Sequence, residues 1–382
     1  MDDKKLLIVT TVPETFLTIL DGQSGFLNKH FSVSLATSPT QGFEQLKSCE
    51  GVPVYPLLMK RGISPFRDVH SLLLMILLIR RLRPDVVHSY TPKAGLISML
   101  AARLCSVPTR VHTFTGLIFP TRVGISQRIL ISIDRLICSC ATKIVPESNG
   151  VKKDLVKFAV TNKELNVIGN GNIAGVDVGY FNRGAVGVSS AANVMRNALN
   201  ISSSDFVFCY VGRLNKDKGV AELVKAFASQ PDNARLIIVG GLDESAPVSS
   251  ETLRIIEADK RIHMLGFQVD VRPILYLADI LVLPSYREGF PNVILQAGAM
   301  ELPVIASDIS GCNEVIESFK NGWLIPPKDI VALAEAMQVA INTPRNIREH
   351  MGAFARNIIE NKFERRAHWN RMLGFYKEQI EL

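Results

Sequence analysis

An α/β protein built as two Rossmann-like halves is the fold class that three features of this sequence predict. Short apolar runs alternate with stretches of helical spacing along nearly the whole chain, as in parallel sheets covered by helices on both faces. The alternation pauses over residues 178–204, which carry Gly179, Gly184, Gly187 and Ser202–Ser204, and then resumes; this reads as a crossing between halves. A chain of 382 residues is also long for one core. The expected division is 1–177 for a first domain and 178–366 for a second, with about 367–382 packing back on the first.

The elements follow in order. Strands of the first half are expected at Leu6–Thr11, Val33–Thr37, Val52–Leu57, Asp85–Ser89, Arg110–Phe114, Lys143–Pro146 and Asn166–Gly169. Strands of the second are expected at Phe206–Gly212, Arg235–Val239, His263–Leu265, Ile280–Pro284, Pro303–Ala306 and Trp323–Pro326. Helices such as Ala221–Ser229 and Ile330–Asn342 separate the later strands, and a final helix from about Ile347 to Leu382 is long enough to return to the first half.

Composition narrows the function classes. The chain is 47% hydrophobic and 21% charged, without low-complexity tracts or short-period repeats. Its six cysteines are scattered and only Cys138 and Cys140 lie close, so buried reduced thiols are expected rather than a disulfide or zinc framework. The first residues are acidic and run straight into a strand, which argues against a secretory signal and for a cytoplasmic protein. The longest apolar block, Leu72–Ile79, is far short of the roughly 20 residues that span a bilayer.

Charge is uneven. Residues 1–180 hold 21 Lys and Arg against 13 Asp and Glu, and the remainder holds 22 against 23. Around Leu72–Ile79 stand Lys60, Arg61, Arg67, Arg80, Arg81 and Arg83, without the interleaved aromatics of a single-strand binder. An anionic membrane surface is favoured over nucleic acid as the partner, with a solvated basic face as the plain alternative.

The chemistry concentrates at strand ends. After Ile280–Pro284 come Glu288, Gly289, Phe290 and Pro291, and then a helix from Asn292 through Gln296 to Met300. Strand, turn and helix start together make a site for phosphate, with a carboxylate placed to reach hydroxyls. The other reading of Glu288 is an ordinary acid favoured by the helix dipole. Gly212, Arg213, Lys218 and Gly219 follow the first strand of the second half, and a planar fork beside a point charge suits a diphosphate. Asp308, Gly311, Asn313 and Glu314 open at another strand end and fit the same pocket. In the first half, His88 with Lys93, and His112 with Thr115, either face a cleft or are core residues with satisfied rings. The loop Pro13–Phe26, with Gly22, Ser24 and Gly25, lacks Gly-x-Gly-x-x-Gly, which counts against a dehydrogenase. There is no Asp-x-Asp and no ligand cluster at metal spacing, so no metal or other cofactor is expected.

Taken together, the Gly22–Gly25 loop, Arg-Pro-Asp-Val-Val-His88, His-Thr-Phe-Thr-Gly116, Asn-Gly171, Val-Gly-Arg213 with Lys218, Glu-Gly-Phe-Pro291 and Leu-Pro-Val-Ile-Ala306 resemble the retaining glycosyltransferases of family 4. The bacterial subgroup that builds capsule, lipopolysaccharide and other surface glycans is the nearest in kind. The resemblance implies a GT-B fold, two Rossmann-like domains with parallel sheets facing a cleft, and transfer from a nucleoside diphosphate sugar, uridine-linked, to a glycan or polyprenyl-diphosphate-linked acceptor at the inner membrane face. It assigns the donor diphosphate to Arg213 and Lys218, donor sugar and phosphate to Glu288 and Gly289–Asn292, and an approach from the other domain to Gly22–Gly25. Two positions depart from the family pattern: Gln296 stands where a second Glu is usual, and Thr115 where a His is. A non-catalytic nucleotide-sugar-binding partner of a glycan assembly complex and a nucleotide-sugar epimerase are the alternatives.

Overall fold

The structure, a computed structural model, describes residues 4–60, 62, 64–243 and 246–381. Arg61 of the basic set, the residues before Lys4 and Leu382 lie outside the described residues. The chain forms two compact units, Met1–Gly175 with Arg366–Leu382, and Val176–Arg365.

The first unit holds a six-stranded sheet of β1 (Lys5–Val9), β2 (Ser32–Thr37), β3 (Val54–Pro56), β4 (Val86–Tyr90), β5 (Thr109–Phe114) and β6 (Lys143–Pro146), in the order β3-β2-β1-β4-β5-β6. Every pairing is parallel. Its helices are α1 (Gln23–Leu27), α2 (Phe43–Cys49), α3 (Pro65–Leu82), α4 (Pro92–Leu104), α5 (Gly124–Cys140) and α6 (Asn149–Lys157). Right-handed crossovers place α1 and α2 on one face and α3, α4 and α5 on the other, because strand order reverses between β1 and β4. The two faces carry separate cores, one around Phe16, Leu27 and Tyr376, the other around Met75, Ala94 and Phe114.

The expected seventh strand, Asn166–Gly169, does not form. Only Leu165 makes a bridge, to Ile144 of the edge strand β6, and Gly169 at φ 62° then turns the chain away. Pro13–Phe26 is not a plain loop either: it contains a π-helical turn at Thr15–Ile19 and the start of α1. Among the cysteines, Cys138, Cys140, Cys209 and Cys312 are buried and free as expected, but Cys49 is exposed.

The second unit holds β7 (Phe206–Val211), β8 (Ala234–Val239), β9 (Ile262–Gly266), β10 (Ile280–Leu283), β11 (Val304–Ser307) and β12 (Gly322–Ile325), in the order β12-β11-β10-β7-β8-β9. Around it pack α7 (Val188–Ala198), α8 (Val220–Phe227), α9 (Ser250–Ala258), α10 (Arg272–Leu277), α11 (Asn292–Ala299), α12 (Ile330–Asn342) and α13 (Arg345–Lys362). The segment 178–204, expected as a crossing, belongs to this unit: Phe181, Val188 and Ala192 enter its core.

The single final helix expected from Ile347 is in fact two. After α13 the chain interrupts at Phe363–Glu364, where Val176 pairs with Glu364, and restarts as α14 (Arg365–Glu381). The break lets α13 stay with the second unit while α14 lies on the first. Gly352 of α13 makes that packing close, since a Cβ there would meet the Glu301 carbonyl oxygen at 2.1 Å.

A buried polar group fastens α14. His88 is fully buried; its Nδ1 lies 2.5 Å from the Tyr376 hydroxyl and its Nε2 2.7 Å from Thr113 Oγ1. The ring also stacks on Tyr90 at 4.3 Å. On the opposite face of the sheet His112 takes the Ser89 hydroxyl at 2.9 Å, in space left by Gly95, whose Cβ would clash with the ring at 2.4 Å. Burial holds His88 well below its ordinary value, with His112 adding to the effect, and pushes His112 down to about 3 and His368 down to about 4. These rings are neutral in the fold, so below pH 6.5 the unfolded chain takes up protons first. Stability is therefore complete above that value and falls on acidification, by about 1.4 kcal/mol per pH unit for each such ring. Urea midpoints measured from pH 7 to pH 5 are expected to drop steadily, and Tyr376→Phe to lower the pH 7 midpoint; flat midpoints would contradict the buried neutral rings.

Candidate active site

Strand order in the second sheet reverses between β7 and β10, and open α/β sheets gather ligands at the carboxyl edge of such a switch. The loops that emerge there, after β7 and after β10, carry the residues singled out above. Backbone packing joins them. Gly219, at φ 68°, lies so near the Pro284 carbonyl oxygen that a Cβ would sit 2.1 Å from it, and the Tyr286 N–H donates to the Asp217 carbonyl oxygen at 2.8 Å. A left-handed residue with no side chain is required at that contact.

The result brings Lys218 Nζ to 2.6 Å from Glu288 Oε1, in a pair whose side chains are 21% and 11% exposed. Three further ties stiffen the same loops. Arg287 pairs with Asp217 at 2.9 Å, the Tyr286 hydroxyl donates to Glu222 at 2.6 Å, and Asn215 accepts the Lys218 N–H at 3.1 Å. Arg213 reaches outward, 57% exposed, with Nη1 at 2.5 Å from Asp243 Oδ2. Two cations and a carboxylate thus stand at one edge of the sheet, where a diphosphate bearing hydroxylated groups would find complementary charge.

Gly311 lets the next loop close on this one. Gly311, at φ 80°, follows β11, and a Cβ there would meet the Gly289 carbonyl oxygen at 2.5 Å. Phe290 and Pro291 are buried, and α11 starts at Asn292. Gln296 is partly buried on α11, where its backbone carbonyl accepts from the Met300 N–H. Asn313 donates to Asp308 at 2.8 Å. Cys312 is buried beneath the pair; desolvation, with the nearby Glu288 charge, pushes its thiol well above the ordinary value, so it is not a nucleophile.

The first unit treats its candidates differently. Gly22–Gly25 is tied down by Glu50, a residue that sequence reasoning did not single out: its Oε1 accepts the Gly22 N–H at 3.2 Å. Burial raises this carboxyl, against the hydrogen bonds of Gly22, Ser24 and Gly25 that lower it. His88 has both ring nitrogens occupied inside the core, which removes it as an acceptor-side residue. Lys93 Nζ is bound by both carboxylate oxygens of Asp68, at 2.8 and 2.7 Å, and is largely buried. His112 is sealed under α4 by the alternation of β5, whereas Thr115 is half-buried in the loop beyond it. Among the described residues no group of three His, Cys, Asp or Glu is placed to hold a metal ion.

Asp243, Asp217 and Glu50 share the reason they escaped notice. Each acts on a partner at least 28 positions away, and no local pattern marks such a pair.

The glycosyl transferases group 1 model matches residues 192–358, and the glycosyl transferase 4-like domain model matches 26–171. The capsular polysaccharide biosynthesis glycosyltransferase CapM of Staphylococcus aureus is 30% identical over 98% of this chain and 97% of its own. An Escherichia coli UDP-Gal:alpha-D-GlcNAc-diphosphoundecaprenol alpha-1,3-galactosyltransferase is 30% identical over 79% of this chain and 78% of its own. Among solved structures, Anabaena HepE in complex with UDP-glucose superposes with a TM-score of 0.81 at 19% identity, over 98% of this chain and 99% of that one. That likeness supports the GT-B fold expected from the motifs.

Gly219→Ala is expected to cost about 3 kcal/mol of unfolding free energy, from a strained φ and a backbone collision together. Denaturant midpoints of this variant and of Gly51→Ala, whose Cβ would meet nothing within 4 Å, check it.

Proposed function

We propose, for a chain that belongs to the group 1, family-4 type of glycosyltransferases, transfer of a hexosyl or N-acetylhexosaminyl group from a uridine diphosphate sugar to a polyprenyl-diphosphate-linked glycan. The observation that carries the proposal is the meeting of Lys218 and Glu288 at the switch of the second sheet, with Arg213 on the same loop. The donor nucleotide and acceptor class are those of the Escherichia coli relative, and a role in capsule or another surface polysaccharide follows the Staphylococcus aureus one.

In this reading the second unit holds the donor and the first the acceptor. Arg213 and Lys218 take the diphosphate and stabilise the charge that grows on it as the glycosidic bond breaks. Glu288, released from Lys218 as phosphate replaces it, accepts hydrogen bonds from donor-sugar hydroxyls, and the start of α11 faces phosphate. Gln296 serves a ribose hydroxyl as a neutral hydrogen-bond partner. The acceptor oxygen forms its bond to the anomeric carbon on the face the diphosphate leaves, and its proton passes to the departing phosphate oxygen. Configuration is retained without an enzymatic nucleophile, and the positive charge comes from side chains rather than a metal.

The acceptor class suggests work at the inner face of the cell membrane. No helix among the described residues is long and apolar enough to cross it. The first unit nevertheless exposes an apolar stripe on α3, Phe66, Val69, Leu73 and Leu77, and another on α5 with Ile125, Ile129 and Leu136. Arg67, Arg80 and Arg81 stand beside the first, and Arg128 and Arg135 beside the second. A basic rim around an apolar ridge suits peripheral binding to anionic lipid.

Arg213→Ala and Lys218→Ala are each expected to lower kcat/KM on the order of 100-fold; unchanged turnover and donor binding would overturn the diphosphate assignment. The proton spectrum of the product reads retention directly, and product formed without acceptor would favour an epimerase. Donor binding in calorimetry with no transfer to any lipid-linked acceptor would favour a non-catalytic binding partner. Phe66→Asp with Leu73→Asp should reduce sedimentation with phosphatidylglycerol vesicles, and wild-type binding should weaken as salt rises.

A further inference from the structure

Building on the donor-site reading above, we infer that Asp243 is a positioning residue that sets both diphosphate-binding cations through one carboxylate oxygen. Its Oδ2 accepts from Arg213 Nη1 at 2.5 Å and from Asn215 Nδ2 at 3.1 Å. Asn215 in turn caps the 3-10 turn Lys216–Lys218, where its Oδ1 accepts the Lys218 N–H. A single carboxylate oxygen therefore joins the Arg213 guanidinium directly and the Lys218 backbone through one intervening amide.

The anchor is held by packing where Arg213 is not. Asp243 has a side chain only 9% exposed, and its N–H donates to the Leu214 carbonyl oxygen at 3.2 Å, next to the bridge between Leu214 and Leu242. Behind that bridge, Gly240 lies against Gly212 so closely that a Cβ would come within 1.9 Å of the Gly212 carbonyl oxygen. The loop after β8 is thus pressed onto the loop after β7. Arg213, by contrast, is 57% exposed and has several free torsions. Left alone it would spend ordering entropy on meeting a ligand.

Asp243 holds one arm of the guanidinium and leaves Nη2 and Nε without partners among the described residues. That division separates positioning from simple neutralisation. The fixed arm sets the plane of the fork, and the remaining donors are presented to an anion.

The test uses the full chain and the diphosphates of uridine, guanosine and adenosine, titrated by calorimetry; the tightest is then measured against variants. Asp243→Asn is expected to raise its Kd about ten-fold, because the charge-assisted bond that orients the fork is lost. Arg213→Ala should weaken binding as well, and the double variant should lose less than the sum of the two single losses, since part of the Asp243 effect acts through Arg213. Melting of unliganded Asp243→Asn within a few degrees of wild type shows that the loss belongs to the site. An unchanged Kd in Asp243→Asn while Arg213→Ala weakens binding, or fully additive losses in the double variant, overturns the positioning role alone. No binding by any of the three diphosphates, or an unchanged Kd in Arg213→Ala, overturns the donor-site reading together with it.

Discussion

The contact between Gly219 and the Pro284 carbonyl is the constraint on which the second unit's candidate site depends. Adjacent parallel strands set β7 and β10 side by side, but their loops would diverge if residue 219 carried a side chain at that approach. Glycine removes the obstacle, and the charged ends of Lys218 and Glu288 arrive within hydrogen-bonding distance. Gly240 on Gly212 and Gly311 on Gly289 repeat the device on either side. These polar groups are thus ordered by apolar necessity, the close packing of loops above a largely buried sheet.

Charge at that edge is balanced within the protein. Lys218 faces Glu288, Arg213 faces Asp243, and Arg287 faces Asp217. A partly buried cation without a partner would be costly, so these pairs keep the loops in one arrangement.

The first unit uses its buried polar groups for assembly. His88 and Thr113 fix Tyr376, and with it α14, while Ser89 and His112 do equivalent work on the other face. The strand alternation that sends neighbouring histidines to opposite faces also removes both from solvent. The outer faces of α3 and α5 invert the usual pattern, exposing apolar stripes that the unit's own core does not need.

Fold class, strand positions and the charged loops at strand ends were legible in the chain because apolar period, glycine placement and strand-end charge are local properties. Most strand positions agree to within one or two residues, and Arg213, Lys218 and Glu288 were each marked by their own neighbourhood. Four readings needed the tertiary structure. Asn166–Gly169 is extended in pattern but lies beyond an edge strand that pairs with it only at Leu165. A helical period runs through Phe363–Glu364, yet the chain breaks there because its two parts pack on different units. His88 and Lys93 sit at strand ends like site residues, but Tyr376 and Asp68, far along the chain, engage them. Asp243 and Glu50 were invisible for the same reason: a side chain's role is decided by what stands opposite it, and packing brings that partner from elsewhere in the chain.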